Sequence, residues 1–460
     1  MSRSTPKEKN VQAAASLPAL HPNAAGIDIG ATEIYVAVPP DRTEQPVRSF
    51  PTFTPDLLVL ADWLQACRVE TVAMESTGVY WIPLYAILED RGLEVLLVNA
   101  RHLQSVPGRK SDVRDCQWLQ HLHAVGLLSG SFRPPKEVCA VRSVLRHRDT
   151  LVTMAATHTQ HMQKALTQMN LQLHHVLSDL TGKTGLRILD AILLGERDPE
   201  TLADLRDRRV KANAETIRKS LQGDYREEHL FTLRQALTAG RQYQLWIGEC
   251  DAEIERLLQA FAPPDDPPEE KPTEALTEAQ TIPEKSDPAQ RFDLRQEMTR
   301  LLGVDLTTVP GLQAPSVHRL FAEIGRDLSA FPTAKHFVSW LGLCPDNRIS
   351  GGKILSAKTR PVNHRAATVF RLAAQTLHHS QSALGQFYRR MRSRLGAPKA
   401  ITATAHKLAR IVYHLLQSKE PYEDSAFAQT ELRYQSRKLQ RLRKEASALG
   451  FTLAPHPQVS

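Results

Sequence analysis

The sequence predicts an α/β domain, then a long helical region, then a second domain that is α-helical and strongly basic. Three observations carry this. Strand-like and helix-like segments alternate up to about residue 134. Apolar residues then recur at helical spacing, with prolines nearly absent, from about Pro135 to Phe261. Finally, no Asp or Glu occurs between Asn347 and Lys419.

Residues 1–24 contain no long apolar run and read as a disordered tail rather than a signal peptide. The α/β domain is expected over residues 25–134. AGIDIGATEIYVAV, residues 25–38, has the pattern of a strand, a tight turn at Gly30 and a second strand. VETVAMESTG, residues 69–78, is a β-rich run ending in a turn. WIPLYAILEDRG follows as a helix that Gly92 stops, and LEVLLVN, residues 93–99, reads as a strand covered on both faces. GRKSDVRDCQWL, residues 108–119, starts a helix near Ser111, a residue type suited to the N-cap. Strands and helices in this order are the α/β pattern.

Residues 135–262 are expected to form a helical, coiled-coil region for oligomerisation. LVTMAATHTQHMQKALTQMNLQLHHVLSDL reads as one long helix and QLWIGECDAEIERLLQAF as another. Residues 263–290 hold seven prolines and eight acidic residues, a composition that cannot bury a core and reads as a linker or insertion. A second helical domain is expected over 291–420, with a basic helix or tail over 421–460. Within it, TTVPGLQAPSVHRLFAEIG, residues 307–325, has the form of a helix-hairpin-helix turning at Pro310–Gly311. Such turns offer backbone N–H groups to a phosphate.

The chain has 460 residues, enough for several domains and a substantial core. Its 58 Lys and Arg against 50 Asp and Glu give a formal charge of +8, which says little alone. The distribution says more, because fourteen Lys or Arg crowd the acid-free window. A basic surface of this size suits phosphate backbones. The alternative is a solvated basic face without a partner. Candidate phosphate contacts are Arg348, Lys353, Lys358, Arg360, Arg365 and Arg371, with Arg109 and Lys110 beside a pair of aspartates. The five cysteines form no C-x-x-C pair, so neither a disulfide framework nor a structural zinc site is signalled, and a reducing cytosol fits. No apolar stretch is long and charge-free enough to span a membrane.

Four acids stand out as a candidate metal site: Asp28, in a strand expected to be central, Glu75, at the end of another, and Asp112 and Asp115, three apart at the start of a helix and therefore on one face. Strand-end and helix residues of this kind converge on one rim of a sheet. Convergent carboxylates repel unless cations sit between them, and oxygen-only ligands favour Mg²⁺ or Mn²⁺. Two such ions would also clamp the attacking and leaving oxygens of a phosphodiester. Taken singly, each acid could equally cap a turn or face solvent. In the second domain, ISGGK places Ser350 on a Gly-rich stretch among bases, either as a nucleophile toward phosphorus or as part of a turn that only binds phosphate. The histidine pairs His121/His123, His174/His175 and His378/His379 lack zinc spacing and read as surface or nucleic-acid-facing, and the tryptophans as core.

GIDIGATEIYVAV, MESTGVYW and NARHLQSVPGRKSDVRDCQWL together resemble the blocks of DEDD-type transposases of the bridge-RNA-guided insertion-sequence family (the 110 and 1111 types). The resemblance extends over most of the chain outside the tails and the acidic segment. It implies an RNase H-like fold of the RuvC kind, with Asp28, Glu75, Asp112 and Asp115 as a metal-binding tetrad. The ISGGK block is similar to the family's C-terminal transposase domain, and Ser350 matches the family's serine nucleophile. The run KTRPVNHRAATVFR departs from the family's K-x-G-N-x-x-L-R pattern at Pro361, Val362 and Asn363, though its basic residues persist. The implied function is transposition, cutting and rejoining donor and target DNA under a guide (bridge) RNA, by a homodimer or homotetramer in the bacterial cytoplasm at the nucleoid. Three rivals stand beside it: a RuvC-like junction resolvase with no serine step, an ATP-binding protein of the actin or sugar-kinase kind, from the D-x-G-x-T turn in DIGAT, and a nucleic-acid-binding protein that keeps the fold without the chemistry, against which the four intact acids argue.

Overall fold

The computed structural model describes residues 18–76, 78–99, 112–261, 292–362, 364–452 and 454. Arg109, Lys110, Ser111, Asn363, most of the amino-terminal tail and the acidic 263–290 segment lie outside the described residues. The chain divides into two compact units, Met1–Arg133 and Pro134–Ser460.

The first unit is built on one mixed sheet. Its strands are β1 (Ala24–Ile29), β2 (Glu33–Ala37), β3 (Val47–Pro51), β4 (Thr71–Glu75) and β5 (Glu94–Val98), in the spatial order β3-β2-β1-β4-β5. β1 pairs antiparallel with β2 and parallel with β4, so the strand carrying Asp28 is central as expected. Among the described residues three helices cover the sheet: α1 (Thr54–Ala66), α2 (Trp81–Asp90) and α3 (Asp112–Ala124). Gly92, at φ 76°, takes the left-handed conformation that ends α2, as the sequence predicts. β5 is an edge strand whose Glu94 is exposed, not a strand covered on both faces. Its edge is partly closed by the chain after α3, where Ser131 N–H donates to Leu97 O at 2.6 Å.

The two faces of this sheet differ in residue size, and strand alternation sets the difference. Ala25, Ile27, Ile29, Val72 and Met74 point to one side and pack with Leu57, Leu60 and Leu64 of α1 and Leu84 and Leu88 of α2. The opposite side of β1 presents Ala24, Gly26 and Asp28, and that of β4 presents Thr71, Ala73 and Glu75. Against this shallow face lies α3. At Gly26 its approach is so close that a Cβ would stand 2.2 Å from Gln120 N and 2.4 Å from Cys116 O, both main chain. Gln120 Nε2 donates to Ala24 O at 3.2 Å, and His123 Nε2 is hydrogen bonded to the Thr71 hydroxyl at 2.9 Å. His123 is buried, against the expectation of a surface histidine. The reason is this polar partner at the foot of β4.

In the second unit, α4 (Lys136–Gln168) and a later helix of equal length run side by side. α4 begins earlier than predicted and ends at Gln168, where Asn170 turns the chain at φ 53°. The predicted single helix through residue 180 is therefore broken, and the chain enters a cap of short helices: α5 (Leu173–Val176), α6 (Lys183–Leu193), α7 (Pro199–Asp204) and α8 (Ala214–Ser220). α9 (Glu227–Gln259) returns antiparallel to α4: Leu151 and Ala155 pack with Ile247 and Cys250, and Arg148 pairs with Asp251 at 2.5 Å. At about 1.5 Å per residue, each arm is roughly 50 Å long. Trp246, expected in the core, is 39% exposed on this hairpin.

The remaining elements are α10 (Leu294–Leu302), α11 (Ala314–Ile324), α12 (Ala334–Trp340), β6 (Arg348–Ser350), β7 (Lys353–Ser356), α13 (Arg365–Thr376), α14 (Ala383–Leu395), α15 (Ala397–Ser418) and α16 (Ser425–Ala448). α11 is tied to α4 by Arg142, which donates to Ala322 O at 3.0 Å and Glu323 O at 2.9 Å, and by Arg146, which grips the buried Glu323 carboxylate at 2.7 Å. The helical hairpin and the basic region thus belong to one compact unit. Among the described residues no helix is long and apolar enough to cross a membrane.

Two predictions follow from the α3 contact. Gly26→Ala forces helix and strand apart and should destabilise the pair by about 2–3 kcal/mol, read as faster hydrogen exchange of the β1 and α3 amides. His123 is held neutral, its pKa lowered to about 4 by burial foremost and then by His21. Between pH 6.5 and 4 the unfolded chain therefore binds a proton that the folded chain refuses, so this contribution is complete above pH 6.5 and lost as pH falls. The thermal midpoint should drop across that window, and drop less in His123→Gln.

Candidate metal centre and nucleic-acid interface

Asp112 and Asp115 occupy the first turn of α3, where the helix dipole favours acids. Their spacing puts them on one helical face. The far end of α3 is pinned at the start of β1 by the Gln120–Ala24 bond, so its first turn lies over the end of β1, at Asp28. One oxygen each from Asp28, Asp112 and Asp115 lie within 4.8 Å of one another. Asp28 and Asp115 are half-buried and Asp112 is exposed. Glu75 ends β4. Ile27 is in register with Met74, so the next pair along, Asp28 and Glu75, sits on the same sheet face about 4.8 Å apart, strand to strand. Glu75 does not join the other three within the same distance.

Three carboxylates at this separation suit a hard divalent cation. The nearest soft donor is unsuited: the Cys116 thiol, buried beneath them, is pushed up to about 12 by burial first and by the Asp28 carboxylate next. It stays protonated at neutral pH and instead donates to Val113 O at 3.1 Å. Tyr35, paired with Asp28 across β1 and β2, gives its hydroxyl to Glu33 at 2.9 Å. That bond foremost, with the Asp112 charge contributing, raises the Tyr35 pKa. Among the described residues the donor set is therefore oxygen alone.

Ser350 belongs to the second unit. Gly351 and Gly352 have φ of 54° and 75°, and Ser350 is paired with Lys353 across them. This is a two-residue hairpin turn of the kind that needs positive φ at both positions, which explains the glycine pair. Ser350 is exposed at the end of β6, and no Cβ added at either glycine would touch anything within 4 Å. Arg348, Lys353 and Lys358 are exposed on or beside this hairpin. Of the other predicted basic contacts, Arg360 donates to Ser339 O at 2.5 Å and Arg365 faces Asp149 at 3.7 Å, while Arg371 is half-buried. The Pro310–Gly311 turn forms, with Gly311 at φ 93°, but Gly311 is also demanded by packing, since a Cβ there would meet Ala373 O at 2.7 Å.

Sequence reasoning named the acids but missed the parts that bring them together. Gly26, two residues before Asp28 on the same face, was the available signal: a glycine inside a central strand marks a close approach of other backbone. β3 and α1, which complete the sheet and its apolar cover, were also not anticipated.

Two family models match the chain, the first running from the β-sheet unit through α4 of the second unit. Residues 25–171 match a transposase family model of the DEDD type named for IS110. Residues 303–389 match the model described as Transposase IS116/IS110/IS902 family. No individually curated protein matches the chain. The first match carries the acids and the mixed sheet and implies an RNase H-like fold for the first unit, together with divalent-metal use. The second covers the glycine hairpin and much of the acid-free region. These assignments displace the ATP-binding reading of DIGAT. The two matches together span just over half of the chain, in the family's order, and the chain belongs to the IS110-type DEDD transposases, the DNA transposases of insertion sequences.

Proposed function

We propose that the chain cuts and rejoins DNA strands with Asp28, Glu75, Asp112 and Asp115 holding Mg²⁺, or Mn²⁺, and with Ser350 as the nucleophile. The convergence of Asp28, Asp112 and Asp115 oxygens within 4.8 Å carries the metal part of this reading. Glu75 completes the set from the adjacent strand, on the same face. Bound there, a divalent cation would neutralise the cluster and withdraw charge from a phosphodiester.

The residues of the chain do the rest. Ser350 Oγ loses its proton and bonds to phosphorus, and the bond to the 3′ oxygen of the leaving strand breaks. That oxygen takes up a proton, and the 5′ phosphate stays on the serine, conserving the bond energy for rejoining. Exposure of Ser350 beside two glycines supports this, because the turn leaves its hydroxyl open to a backbone phosphate. Arg348, Lys353 and Lys358, exposed beside it, hold the flanking phosphates. The guide RNA implied by the family would be bound through the same basic chemistry, by shape and backbone. The exposed Leu245 and Trp246 on the α4–α9 hairpin support a homodimer or homotetramer joined through that hairpin.

Two experiments test the reading. A suicide DNA substrate should leave a denaturant-stable protein–DNA adduct with wild-type protein and none with Ser350→Ala, whereas a freely dissociating product from wild type would indicate a junction-resolvase reaction instead. Asp112→Asn and Asp28→Asn should each weaken Mn²⁺ binding at least about tenfold by calorimetry and abolish strand cleavage. Unaltered Mn²⁺ affinity in both would refute the metal site.

A further inference from the structure

A cleft of about 370 Å³ opens in the second unit where α4, α11 and α13 meet. Four arginines line it, Arg142, Arg146, Arg319 and Arg365, against two acids, Asp149 and Glu323. The first two arginines are committed to structure. Arg146 saturates the buried Glu323 carboxylate, and Arg142 closes the carbonyl end of α11.

The other two are committed only in part. Arg319 Nη2 meets Asp149 Oδ1 at 2.9 Å, while Arg365 stands 3.7 Å from Oδ2 of the same carboxylate, beyond hydrogen-bond length. Their side chains are 47% and 52% exposed, and Asp149 is more shielded at 28%. Two guanidinium forks thus share one carboxylate, leaving a positive charge unbalanced at the cleft. Leu145, Val369 and the 56% exposed Leu372 give the cleft an apolar wall beside these forks. A guanidinium fork matches a phosphate as well as it matches a carboxylate, and a phosphate can bridge two of them.

We propose that this cleft is a phosphate pocket for a nucleic-acid strand, in which a backbone phosphate takes Arg365 and Arg319 over from Asp149, with the adjoining sugar against the apolar wall. Asp149 is a built-in competitor: it holds the two forks in place when no strand is bound and repels the phosphate that replaces it. The proposal rests on the reading that the second unit binds nucleic acid.

The test is fluorescence anisotropy with a labelled DNA duplex and a labelled RNA duplex of the same sequence, over a salt series, using the full chain. Arg365→Gln should weaken binding about five- to tenfold and lower the slope of log affinity against log salt by about one. Asp149→Asn should act in the opposite direction and tighten binding by about threefold or more. A merely structural Asp149 predicts unchanged or weaker binding. Both sites are partly exposed ion pairs, so folding should be little affected. Arg319→Gln provides a second loss-of-contact variant should Arg365→Gln lower the thermal midpoint. Effects confined to one duplex support the pocket and identify the strand it takes. Equal affinity and slope in both arginine variants, or no gain in Asp149→Asn, with wild type still binding, overturns this pocket alone. Failure of the wild-type chain to bind either duplex overturns it together with the nucleic-acid reading beneath it.

Discussion

The contact of α3 with β1 at Gly26 is the constraint on which the acid cluster depends. Aspartate has a single methylene, so three aspartates can place oxygens within 4.8 Å only if their main chains are already close. A helix that packs through a layer of large side chains stands too far from the sheet for this. Here the layer is missing. Ala24, Gly26 and Ala73 leave a shallow floor, and the helix main chain rests nearly on the strand. The opposite sheet face, with Ile27, Ile29 and Met74 against two helices, supplies the apolar burial that the shallow face forgoes. The sheet is thus divided by function: one face stabilises, the other positions charge.

That division sets the electrostatics. Like charges collected on one rim oppose folding, and a cation relieves them, so ion binding and order in this region are coupled. The buried Cys116 adds no charge, because its own burial foremost, and then the Asp28 carboxylate, keeps the thiol protonated. In the second unit the accounting runs the other way. The acid-free window suggests an uninterrupted basic surface, yet several of its cations serve main-chain carbonyls: Arg360 at Ser339, Arg389 at His378 and Ser380, Lys419 at Leu302. Exposed cations remain at the β6–β7 hairpin around Ser350, and again at Arg394, Lys399 and Arg410 on α14 and α15.

How much of this could be read from the sequence depended on the range of the signal. Strands at Asp28, Glu75 and Leu97, the stop at Gly92 and the pairing of Asp112 with Asp115 are local patterns, and the sequence expressed them plainly. β3 and α1 were missed because VRSFP is half polar and TPDLLVLADWLQA lies in a stretch without a marked strand–helix rhythm. The overlong helix through residue 180 failed for a different reason. Apolar spacing continues past Gln168, but it serves the packed cap around Leu171, Leu173 and Leu177 rather than the same helix. The burial of His123 depended on Thr71, fifty-two positions away, and no local pattern encodes such a partner.

Arg300 has a consequence of a different kind. From the second turn of α10 it donates to Phe261 O at 2.9 Å and Leu258 O at 3.0 Å, at the close of α9. The end of α9 and the start of α10 are therefore held within about two helical turns of each other. Whatever is spliced between them adds length without separating the helices on either side. The position is a natural choice for circular permutation, or for grafting a reporter domain, while leaving the arginine clamp intact.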